Sequence, residues 1–400
     1  MSNMRDVTVS AQKYLNQDEI LLFIGPRQAG KTTILKQLQD SLKERKELTF
    51  SLNLEDPDYL TLLNDSPKNL FKIFTLPEDK KSFVFIDEIQ YLNDPSRFLK
   101  YFYDEFKGRI KILASGSSAF YLDEKFKDSL AGRKKIFYVH TLSFKEFLRF
   151  KKYEELSGKD FHHLSLNEKE TLGIQYYEFM TFGGYPRIVL APVDEKKELI
   201  REIAYSYIKK DILEAGVRQE DIFYKLFKIL ASQIGQMVNA SELAKTLGVS
   251  KSSIDHYLYV MQKSFHVQLL KPFSRNMRKE LVKMPKIFFI DLGLRNFFVN
   301  NFQSFDLRED KGRLLENAVF RQLLERPGEI RFWRTTGQHE IDFIFDEQEA
   351  FEVKVNLRQF RARPYKVFLE EYPNIRFSIV TIDVTQKTFD NFNVLEAWNL

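Results

Sequence analysis

The sequence predicts an α/β protein whose N-terminal part is built on a parallel sheet. One observation is that helical patterns alternate with strand-like runs at residues 21–25, 48–54, 83–87, 110–114 and 136–140. A second is a glycine-containing loop between the first run and a helical pattern. A third is a pair of acids, Asp87 and Glu88, at the end of the third run. Strands that alternate with helices form parallel sheets, which bind ligands at the carboxyl ends of their strands.

The loop at residues 25–32 reads Gly-Pro-Arg-Gln-Ala-Gly-Lys-Thr and has the form G-x-x-x-x-G-K-[ST] of a phosphate-binding loop. Its glycines let backbone N–H groups turn towards phosphate oxygens, and the following helix adds its positive N-terminus. Lys31 is predicted to reach the β- and γ-phosphates of a nucleotide, and Thr32 to place its hydroxyl on Mg²⁺. The nucleotide-binding residues predicted in this way are Gly25, Pro26, Arg27, Gln28, Ala29, Gly30, Lys31, Thr32 and Thr33.

The acids that end the third run extend this prediction from nucleotide binding to hydrolysis. Residues 83–86 are apolar, so Asp87 and Glu88 emerge where a buried strand reaches the edge of the sheet. Asp87 is placed to hold the Mg²⁺ shell. Glu88 is placed to orient and polarise the attacking water. ATP and Mg²⁺ are therefore the expected cofactors, and Mg²⁺-dependent ATP hydrolysis is the expected activity.

Two further polar residues are candidates for the same site. Ser115 ends the fourth run, where it either senses the γ-phosphate or belongs to a serine-rich loop that caps a helix. Arg133 lies in a basic loop, where it either stabilises the charge of the transition state or is an exposed surface charge. A catalytic Arg133 would act in its own chain or on a neighbouring copy in a homo-oligomer, and both arrangements are open.

These motifs together resemble the AAA+ ATPases, and more narrowly a prokaryotic family of ATP-binding proteins in which an AAA core is joined to an uncharacterised C-terminal region. The marks of that family occur here as GPRQAGKT at 25–32, FIDEIQ at 85–90, SGSS at 115–118, LAGR at 130–133, LSFKEF at 142–147 and GGYP at 183–186. The resemblance covers nearly the whole chain. It implies an AAA+-type ATPase core in residues 1–150.

Composition excludes several kinds of protein and leaves the partner open. Because the chain has no cysteine, disulfides, thiolate metal sites and cysteine nucleophiles are excluded, and the six histidines show no metal-ligand spacing. No apolar run is long enough for a membrane span, and the N-terminus lacks the apolar segment of a signal peptide. We therefore expect a cytoplasmic protein without a membrane partner. The net charge of +5, spread over the chain, permits a nucleic-acid partner without arguing for one.

Residues 151–235 are mostly helical by pattern and are expected to form a helical lid or linker. Residues 236–300 are then predicted to form a winged helix, because a helix-turn-helix pattern around Gly248 is followed by strand-like runs at 267–270 and 287–290. On double-stranded DNA, the residues facing the major groove would be Ser250, Lys251, Ser252, Ser253 and His256, and those facing phosphates would be Arg275, Arg278 and Lys279. Winged helices also serve as lids and protein-contact modules, so DNA contact and protein contact are both open.

The tail, residues 301–400, contains acids and a lysine with the chemistry of a metal site. Glu352 and Lys354 share one face of a strand, and Asp342 joins them if it pairs opposite Glu352, which requires an odd-numbered loop or a bulge in their hairpin. Glu316 falls in the apolar stripe of a helix, where a charge needs a partner. Carboxylates can hold Mg²⁺, and a lysine can position the water that the metal activates. The alternative is an exposed hairpin with alternating charges.

Asp342, Glu352 and Lys354 resemble the PD-(D/E)xK motif of restriction-endonuclease-like domains, and Glu316 matches the helical glutamate often found before it. Ile341 stands where the motif has proline. The resemblance implies a small α/β nuclease-like domain in which Glu316, Asp342 and Glu352 hold a metal ion, although many such domains bind nucleic acid without cutting it.

The sequence as a whole predicts an ATPase coupled to DNA binding or processing, with double-stranded DNA contacted through the winged helix and the tail. The alternative is a nucleotide-gated switch or scaffold whose tail is catalytically inactive. A small-molecule P-loop kinase is a more remote third interpretation, because the sequence shows a strand-ending acid pair and lacks a phosphoacceptor lid motif.

Overall fold

The computed structural model describes residues 4–117, 130–273, 284–335, 337, 339–382, 388–389 and 392–400. Contacts group the chain into two compact units. The N-terminal unit comprises Met1–Leu142 with Lys263–Phe265, and the C-terminal unit comprises Ser143–Gln262 with His266–Leu400. The predicted division of the chain at residues 150, 235 and 300 is finer than these two units and stays a prediction.

A five-stranded parallel sheet forms the centre of the N-terminal unit, in the order β2-β3-β4-β1-β5. Its strands are β1 (Ile20–Ile24), β2 (Leu48–Asn53), β3 (Ser82–Asp87), β4 (Ile110–Gly116) and β5 (Lys134–Tyr138). The accompanying helices of the described residues are α1 (Asp6–Gln12), α2 (Lys31–Glu44), α3 (Pro57–Asp65), α4 (Leu70–Ile73) and α5 (Pro95–Phe106). The predicted parallel α/β sheet is confirmed, and each strand lies within two residues of its predicted run.

The phosphate-binding loop is held in place by the core of this unit. Every residue of β1 and β4 is buried, as expected for central strands of a parallel sheet. Helix α2 buries Ile34 and Leu38 in one hydrophobic cluster with Phe23 of β1 and Phe85 of β3. Because α2 begins at the end of the loop, this packing fixes the loop at the carboxyl end of β1.

The first part of the C-terminal unit is helical. Its helices are α6 (Phe144–Phe150), α7 (Glu154–Gly158), α8 (Leu166–Phe182), α9 (Pro186–Leu190), α10 (Val193–Glu202), α11 (Ile208–Glu214) and α12 (Glu220–Ser232), with a π-helical segment at Ile203–Tyr207. Ser143 and Ser165 begin α6 and α8 with capping boxes, in which each hydroxyl accepts from the backbone of a glutamate that bonds back. The helical content predicted for this part is present, and its role as a lid stays a prediction.

Two helices and a two-stranded antiparallel sheet follow. Helix α13 (Ala240–Leu247) ends at Gly248, whose φ of 68° allows the turn into α14 (Lys251–Lys263). Strands β6 (Val267–Leu270) and β7 (Lys286–Phe289) pair in antiparallel register, and α15 (Leu292–Phe298) comes next. The helices and strands lie where the sequence predicts them; the winged-helix assignment itself stays a prediction. The predicted wing-tip residues Arg275, Arg278 and Lys279 lie outside the described residues.

The GGYP motif lies between α8 and α9 in the sequence and contacts the residue that caps α15. Gly183 has a φ of 76°, and a Cβ atom there would lie 2.2 Å from Asp291 Oδ1. Asp291 Oδ2 accepts from the Gly184 N–H at 2.8 Å, and Asp291 Oδ1 accepts from the Leu294 N–H at 3.0 Å. Gly183 is therefore required by the close approach of the aspartate that caps α15, and Gly184 contributes its N–H to the same carboxylate.

The tail forms a mixed six-stranded sheet in the order β12-β13-β11-β10-β9-β8. Its elements are α16 (Lys311–Leu323), β8 (Ile330–Arg334), β9 (Glu340–Phe345), β10 (Glu349–Val353), α17 (Lys366–Glu371), β11 (Arg376–Thr381), β12 (Thr388–Phe389) and β13 (Phe392–Glu396). Strands β10, β11 and β13 run parallel, while β8, β9 and β10 form antiparallel pairs. Across the described part of the chain, helices capable of crossing a bilayer are absent.

Candidate functional site

The phosphate-binding loop follows β1 and leads directly into α2. Gly30 and Gln28 have left-handed backbone conformations, with φ of 96° and 59°. A Cβ atom on Gly25 would lie 1.9 Å from the carbonyl oxygen of Val139, so only glycine fits there. The Arg5 guanidinium donates a 2.5 Å hydrogen bond to the Ala29 carbonyl. These contacts fix the loop from both sides.

Lys31, the first residue of α2, keeps its ammonium group inside this loop. It is buried, and Nζ donates to the carbonyl oxygens of Gly25 at 3.0 Å and Pro26 at 2.8 Å. A phosphate oxygen is a stronger acceptor for an ammonium group than a carbonyl oxygen. The lysine is thus positioned to exchange these carbonyls for phosphate.

Side chains from α2 and β4 meet at Asp87, the last residue of β3. Thr32 Oγ1 donates to Asp87 Oδ2 at 2.6 Å, and the Ser115 hydroxyl donates to Asp87 Oδ1. Ser115 is fully buried at the end of β4, which lies between β1 and β3 in the sheet. A hydroxyl and a carboxylate side by side are oxygen ligands that fit Mg²⁺. The donor set here fits the expected metal, and Ser115 supports it by orienting Asp87.

Glu88 follows Asp87 with a φ of 57°, an uncommon conformation for a residue other than glycine. Ser117 Oγ lies 2.8 and 2.7 Å from its two carboxylate oxygens, and the Gln90 amide donates to Oε2. Burial alone would raise the pKa of Glu88, but the charge of Lys31 and the hydrogen bonds of Ser117 and Gln90 lower it below its usual value. Glu88 is therefore ionised at neutral pH, while its acceptor oxygens are already engaged.

Sequence reasoning missed Gln90 and Ser117 as partners of Glu88. The two residues also contact each other, since the backbone N–H of Ser117 donates to Gln90 Oε1 at 3.3 Å. Both residues lie in the family marks at 85–90 and 115–118, but only the strand register brings them together. The residues that follow Ser117, 118–129, lie outside the described part of the chain.

Arg133 lies at the amino end of β1, whereas the phosphate-binding loop lies at its carboxyl end. Its carbonyl accepts from the N–H of Ile20, at the start of β1, whereas the loop follows Ile24. The length of β1 separates the two positions by roughly 13 Å. The Arg133 guanidinium pairs with Asp104 at 2.8 Å. This placement argues against Arg133 acting on nucleotide in its own chain, and its action on a neighbouring copy stays a prediction.

In the tail, Asp342 and Glu352 lie opposite each other across a hairpin. Strands β9 and β10 pair Phe343 with Phe351 and Phe345 with Glu349, so continuing the register by one residue places Asp342 opposite Glu352. The loop between the strands has three residues, 346–348, which is the odd number that this pairing requires. The two carboxylates therefore share one face of the sheet.

Glu352 is buried among polar partners. Its Oε1 accepts from the Tyr365 hydroxyl at 2.7 Å and from the Lys354 ammonium group. Its Oε2 is buried and has no hydrogen-bond partner among the described residues. Burial raises the pKa of Glu352 to about 8, and the nearby charge of Asp342 raises it as well. The charge of Lys354 acts in the opposite direction but does not outweigh these two effects.

A lysine that the sequence did not suggest lies among the acids of the tail. Lys286 begins β7, is 2% exposed, and places Nζ 3.3 Å from Glu316 Oε1, 2.5 Å from Glu340 Oε1 and 3.8 Å from Asp342 Oδ1. These carboxylates raise its pKa although burial acts against the charge. Burial also raises the pKa of Glu316 to about 7. The sequence contains one signal for this pairing: a lysine at the start of an apolar strand is buried with the strand, and its charge then needs a partner.

The predicted metal set of the tail is not assembled in this arrangement. The ammonium of Lys286 lies between the carboxylates of Glu316 and Asp342, and Lys354 already pairs with Glu352. Within the described ranges, no three acidic or imidazole side chains are arranged to hold a metal ion together. The residues present therefore fit an ammonium group, and joint metal binding by Glu316, Asp342 and Glu352 stays a prediction.

The predicted DNA-reading face lies at the start of α14. Ser252 and His256 are exposed, and Lys251 forms an exposed ion pair with Asp255 at 3.3 Å. The Ser250 hydroxyl caps the helix by accepting from the Ser253 N–H at 3.0 Å. The face is accessible, and its binding to DNA stays a prediction.

Comparisons with known proteins agree with the N-terminal geometry. Residues 17–148 match the model of a family described as an AAA domain. Residues 174–304 and 311–400 match two families described as domains of unknown function, DUF8612 and DUF4143. Two similar proteins are uncharacterized: one from Methanocaldococcus jannaschii, 27% identical over 94% of this chain and 84% of its own length, and one from Haemophilus influenzae, 27% identical over 89% and 90%.

Two solved structures show distant likeness to this chain. The ORC2 protein of Aeropyrum pernix, in its ADPNP–ADP complexes, has 14% identity and a TM-score of 0.40 over 66% of this chain and 86% of its own. AMPPCP-bound DnaA from Aquifex aeolicus has 17% identity and a TM-score of 0.31 over 64% and 86%. It is the AAA-domain match, together with the parallel sheet and the phosphate-binding loop, that supports a P-loop AAA domain in the N-terminal unit.

Proposed function

We propose that the N-terminal unit hydrolyses ATP with Mg²⁺. The observation that carries this proposal is the contact of Thr32 with Asp87, because it places the two expected Mg²⁺ ligands together beside Lys31 and Glu88. Lys31 and the loop N–H groups bind and orient the phosphates. Thr32 and Asp87 would hold Mg²⁺, which neutralises the charge that develops on the phosphoryl oxygens.

Glu88 is the proposed base for the attacking water. Its lowered pKa keeps it ionised, so it can accept a hydrogen bond from water at neutral pH. The water needs an acceptor oxygen that Ser117 and Gln90 now engage. Because an ionised carboxylate can accept about four hydrogen bonds, Ser117 and Gln90 leave room for a water but limit where it can bind, which provides a point at which hydrolysis can be controlled.

The proposed role of ATP hydrolysis is to drive DNA binding or processing by the C-terminal unit. One surface that supports DNA contact is the exposed start of α14, with Lys251 and His256. A second surface is a basic segment of the tail, residues 356–366. It contains four basic residues and no acidic residue, although residues 301–400 contain 17 acidic and 14 basic residues. The four are exposed: Arg358, Arg361, Arg363 and Lys366.

The basic segment suits the phosphate backbone of duplex DNA. Leu357, Phe360 and Tyr365 point into the core of the tail, where the Phe360 and Tyr365 rings stack at 5.0 Å. Because these aromatic rings are buried, the segment offers no platform on which unpaired bases could stack. Exposed arginines on a fixed segment fit phosphates, which set position without reading sequence.

The test is the rate of ATP turnover with and without duplex DNA, for the wild type and Glu88→Gln. We expect DNA to stimulate the wild type, and Glu88→Gln to lose turnover by about 10²-fold or more while it still binds ATP. Glu105→Gln, an exposed glutamate of α5, is the matched control and should behave as the wild type. Wild-type turnover by Glu88→Gln would remove Glu88 as the base.

A nucleotide-gated switch is the second candidate function. Two observations favour it. Ser117 bonds the Glu88 carboxylate, which suits slow ATP hydrolysis, and Lys286 pairs with Glu316, which suits a tail that does not cleave DNA. Slow turnover that DNA does not stimulate, combined with tight ATP binding, would select this candidate over the first. In both candidates the tail acts by binding, and no step is assigned to a metal ion there.

A further inference from the structure

The acidic cluster of the tail contains a cation supplied from outside the tail. Lys286 belongs to β7, before the tail begins in the sequence, yet its ammonium group contacts Glu316 of α16 and Glu340 of β9. The same nitrogen lies 3.8 Å from Asp342 and 5.5 Å from the centre of the Phe332 ring. It is 2% exposed. The positive charge is therefore surrounded by acids and shielded from water.

Glu316 is fixed on the side away from Lys286. A Cβ atom on Gly235 would lie 2.7 Å from Glu316 Oε2, so the backbone at Gly235 lies directly against that oxygen. Gly235 is itself held, because its N–H donates to the carbonyl of Ile287 at 2.8 Å. The backbone next to Lys286 thus forms part of the wall behind its partner, and the contact is built into the fold.

The charges of the cluster explain why a cation is needed. Four carboxylates come together: Glu316, Glu340, Asp342 and Glu352. Lys354 pairs with Glu352, and Arg334 reaches Glu340 at 3.3 Å from the partly exposed edge. Buried carboxylates without a cation are strongly unfavourable. Only Lys286, among the described basic residues, reaches Glu316.

An ammonium group and a divalent metal ion make different demands on the same oxygens. An ammonium group donates up to three hydrogen bonds to oxygens about 2.7–3.2 Å from its nitrogen. Mg²⁺ and Mn²⁺ need several oxygens at about 2.0–2.2 Å and usually keep bound waters. The oxygens around Lys286 cannot satisfy both at once, because the ammonium occupies the space between them.

We propose that Lys286 is the resident cation of this cluster, that it excludes divalent metal ions from Glu316 and Asp342, and that its removal creates a divalent-metal site. The proposal goes beyond the proposed function, since it depends on neither ATP nor DNA. In the PD-(D/E)xK motif that the tail resembles, a metal ion would occupy the position between the carboxylates that Lys286 occupies here. With Lys286 present, the tail is a metal-free binding module.

The test is direct binding of Mn²⁺ in the absence of nucleotide, measured by electron paramagnetic resonance and calorimetry on the full chain. Asp87→Asn serves as the background, so that the nucleotide site does not contribute. We expect the background to bind no stoichiometric Mn²⁺, and Lys286→Met to bind about one ion, at least about tenfold more tightly than the background. Adding Asp342→Asn to Lys286→Met should abolish this binding, and Lys286→Arg should behave as the background.

Two results would overturn the proposal. One is stoichiometric Mn²⁺ binding by the background that disappears with Asp342→Asn, because the ion would then bind with Lys286 in place. The other is a folded Lys286→Met or Lys286→Gln that binds no Mn²⁺. If Lys286→Met folds poorly, thermal unfolding with and without Mn²⁺ still tests the proposal. The proposal requires Mn²⁺ to raise the Tm of Lys286→Met more than that of Lys286→Arg. The background measurement decides the exclusion of metal whether or not Lys286→Met folds.

Discussion

Thr32, in the first turn of α2, donates a 2.6 Å hydrogen bond to Asp87 at the end of β3, although β1, the strand that leads to α2, is not a neighbour of β3 in the sheet. Strand β4 lies between β1 and β3, and its Ser115 bonds the other oxygen of Asp87. Side chains from α2 and β4 therefore converge on one carboxylate at the end of β3. This convergence is what turns a phosphate-binding loop into a candidate site for hydrolysis, because it places metal ligands and Glu88 at one edge.

Thr32→Val should lower ATP turnover more than it lowers ATP binding. The substitution keeps the shape of the side chain but removes the hydroxyl that bonds Asp87 and is expected to bind Mg²⁺. We expect turnover to fall by about 10²-fold or more. Steady-state turnover and nucleotide titration measure the two effects. Thr61→Val, on the exposed face of α3, serves as the control. Equal losses in Thr32→Val and Thr61→Val would contradict the assignment.

Ser117→Ala should raise the basal rate of ATP hydrolysis. The Ser117 hydroxyl lies 2.8 and 2.7 Å from the two oxygens of Glu88, so its removal frees acceptor capacity for water. A hydrogen bond to a charged group contributes about 1.5–3 kcal/mol, so we expect an increase of about tenfold and at most about 150-fold. Steady-state turnover without DNA measures the effect, and Ser117→Thr, which retains the hydroxyl, should stay nearer to the wild type. A lower rate in Ser117→Ala would show that Ser117 positions Glu88 for catalysis.

Much of the N-terminal unit follows from the sequence because its signals are local. Apolar runs bounded by the loop and by Asp87 predict buried parallel strands, and these are found within two residues of their predicted positions. The pairing of Asp342 with Glu352 could be reduced to one condition, an odd-numbered loop, because side chains in a strand alternate. Such signals need only the residues of one or two neighbouring elements.

The missed residues depend on long-range contacts. Lys286 is separated by 30 residues from Glu316, with which it pairs at 3.3 Å, and no periodic pattern links them. Ser117 meets Glu88 only because β3 and β4 are adjacent in one particular register. Arg133 shows the converse: a basic loop after the fourth strand suggested the nucleotide site, but the Arg133 carbonyl accepts from the N–H of Ile20, at the end of β1 away from the phosphate-binding loop. Strand register and the packing of distant elements, which local sequence patterns do not reveal, decide these contacts.

Lys111→Met should weaken the dependence of stability on alkaline pH. Lys111 is 1% exposed, and its ammonium donates to the carbonyl oxygens of Gln17, at 2.7 Å, and Glu19. Burial lowers the pKa of Lys111 to about 8, whereas the unfolded chain holds this proton to about 10.4. Between these values the unfolded state binds more protons, so Lys111 makes stability rise with pH, by at most about 3 kcal/mol.

The measurement is the free energy of unfolding from denaturant titrations between pH 7 and pH 10.5. The wild type minus Lys111→Met isolates the contribution of Lys111 from that of the other titrating groups. Lys107→Met, at an exposed position of the same unit, should follow the wild-type profile. Parallel profiles for the wild type and Lys111→Met would show that Lys111 keeps its proton in the fold.

Arg358→Gln combined with Arg363→Gln should weaken duplex DNA binding and reduce its dependence on salt. Both arginines are exposed in the basic segment, whereas the Arg361 guanidinium also holds the backbone carbonyls of Arg358 and Phe360 and is left unchanged. Each lost phosphate contact lowers the slope of log K against log salt by about 0.9, so we expect a decrease of about 2. The control pair is Arg187→Gln with Arg201→Gln, exposed on α9 and α10.

Lys251→Glu tests the other proposed DNA surface in the same assay. Lys251 pairs with Asp255 one helical turn away, at 3.3 Å, and is 62% exposed. Lys225→Glu is a closely matched control, because Lys225 pairs with Asp221 at 3.4 Å in the same i,i+4 arrangement and is 61% exposed. If α14 contacts DNA, only Lys251→Glu should abolish salt-dependent binding. Equal binding by the two variants would exclude this face and leave the basic segment as the DNA-binding surface, since a duplex held only by phosphate contacts there needs no reading helix.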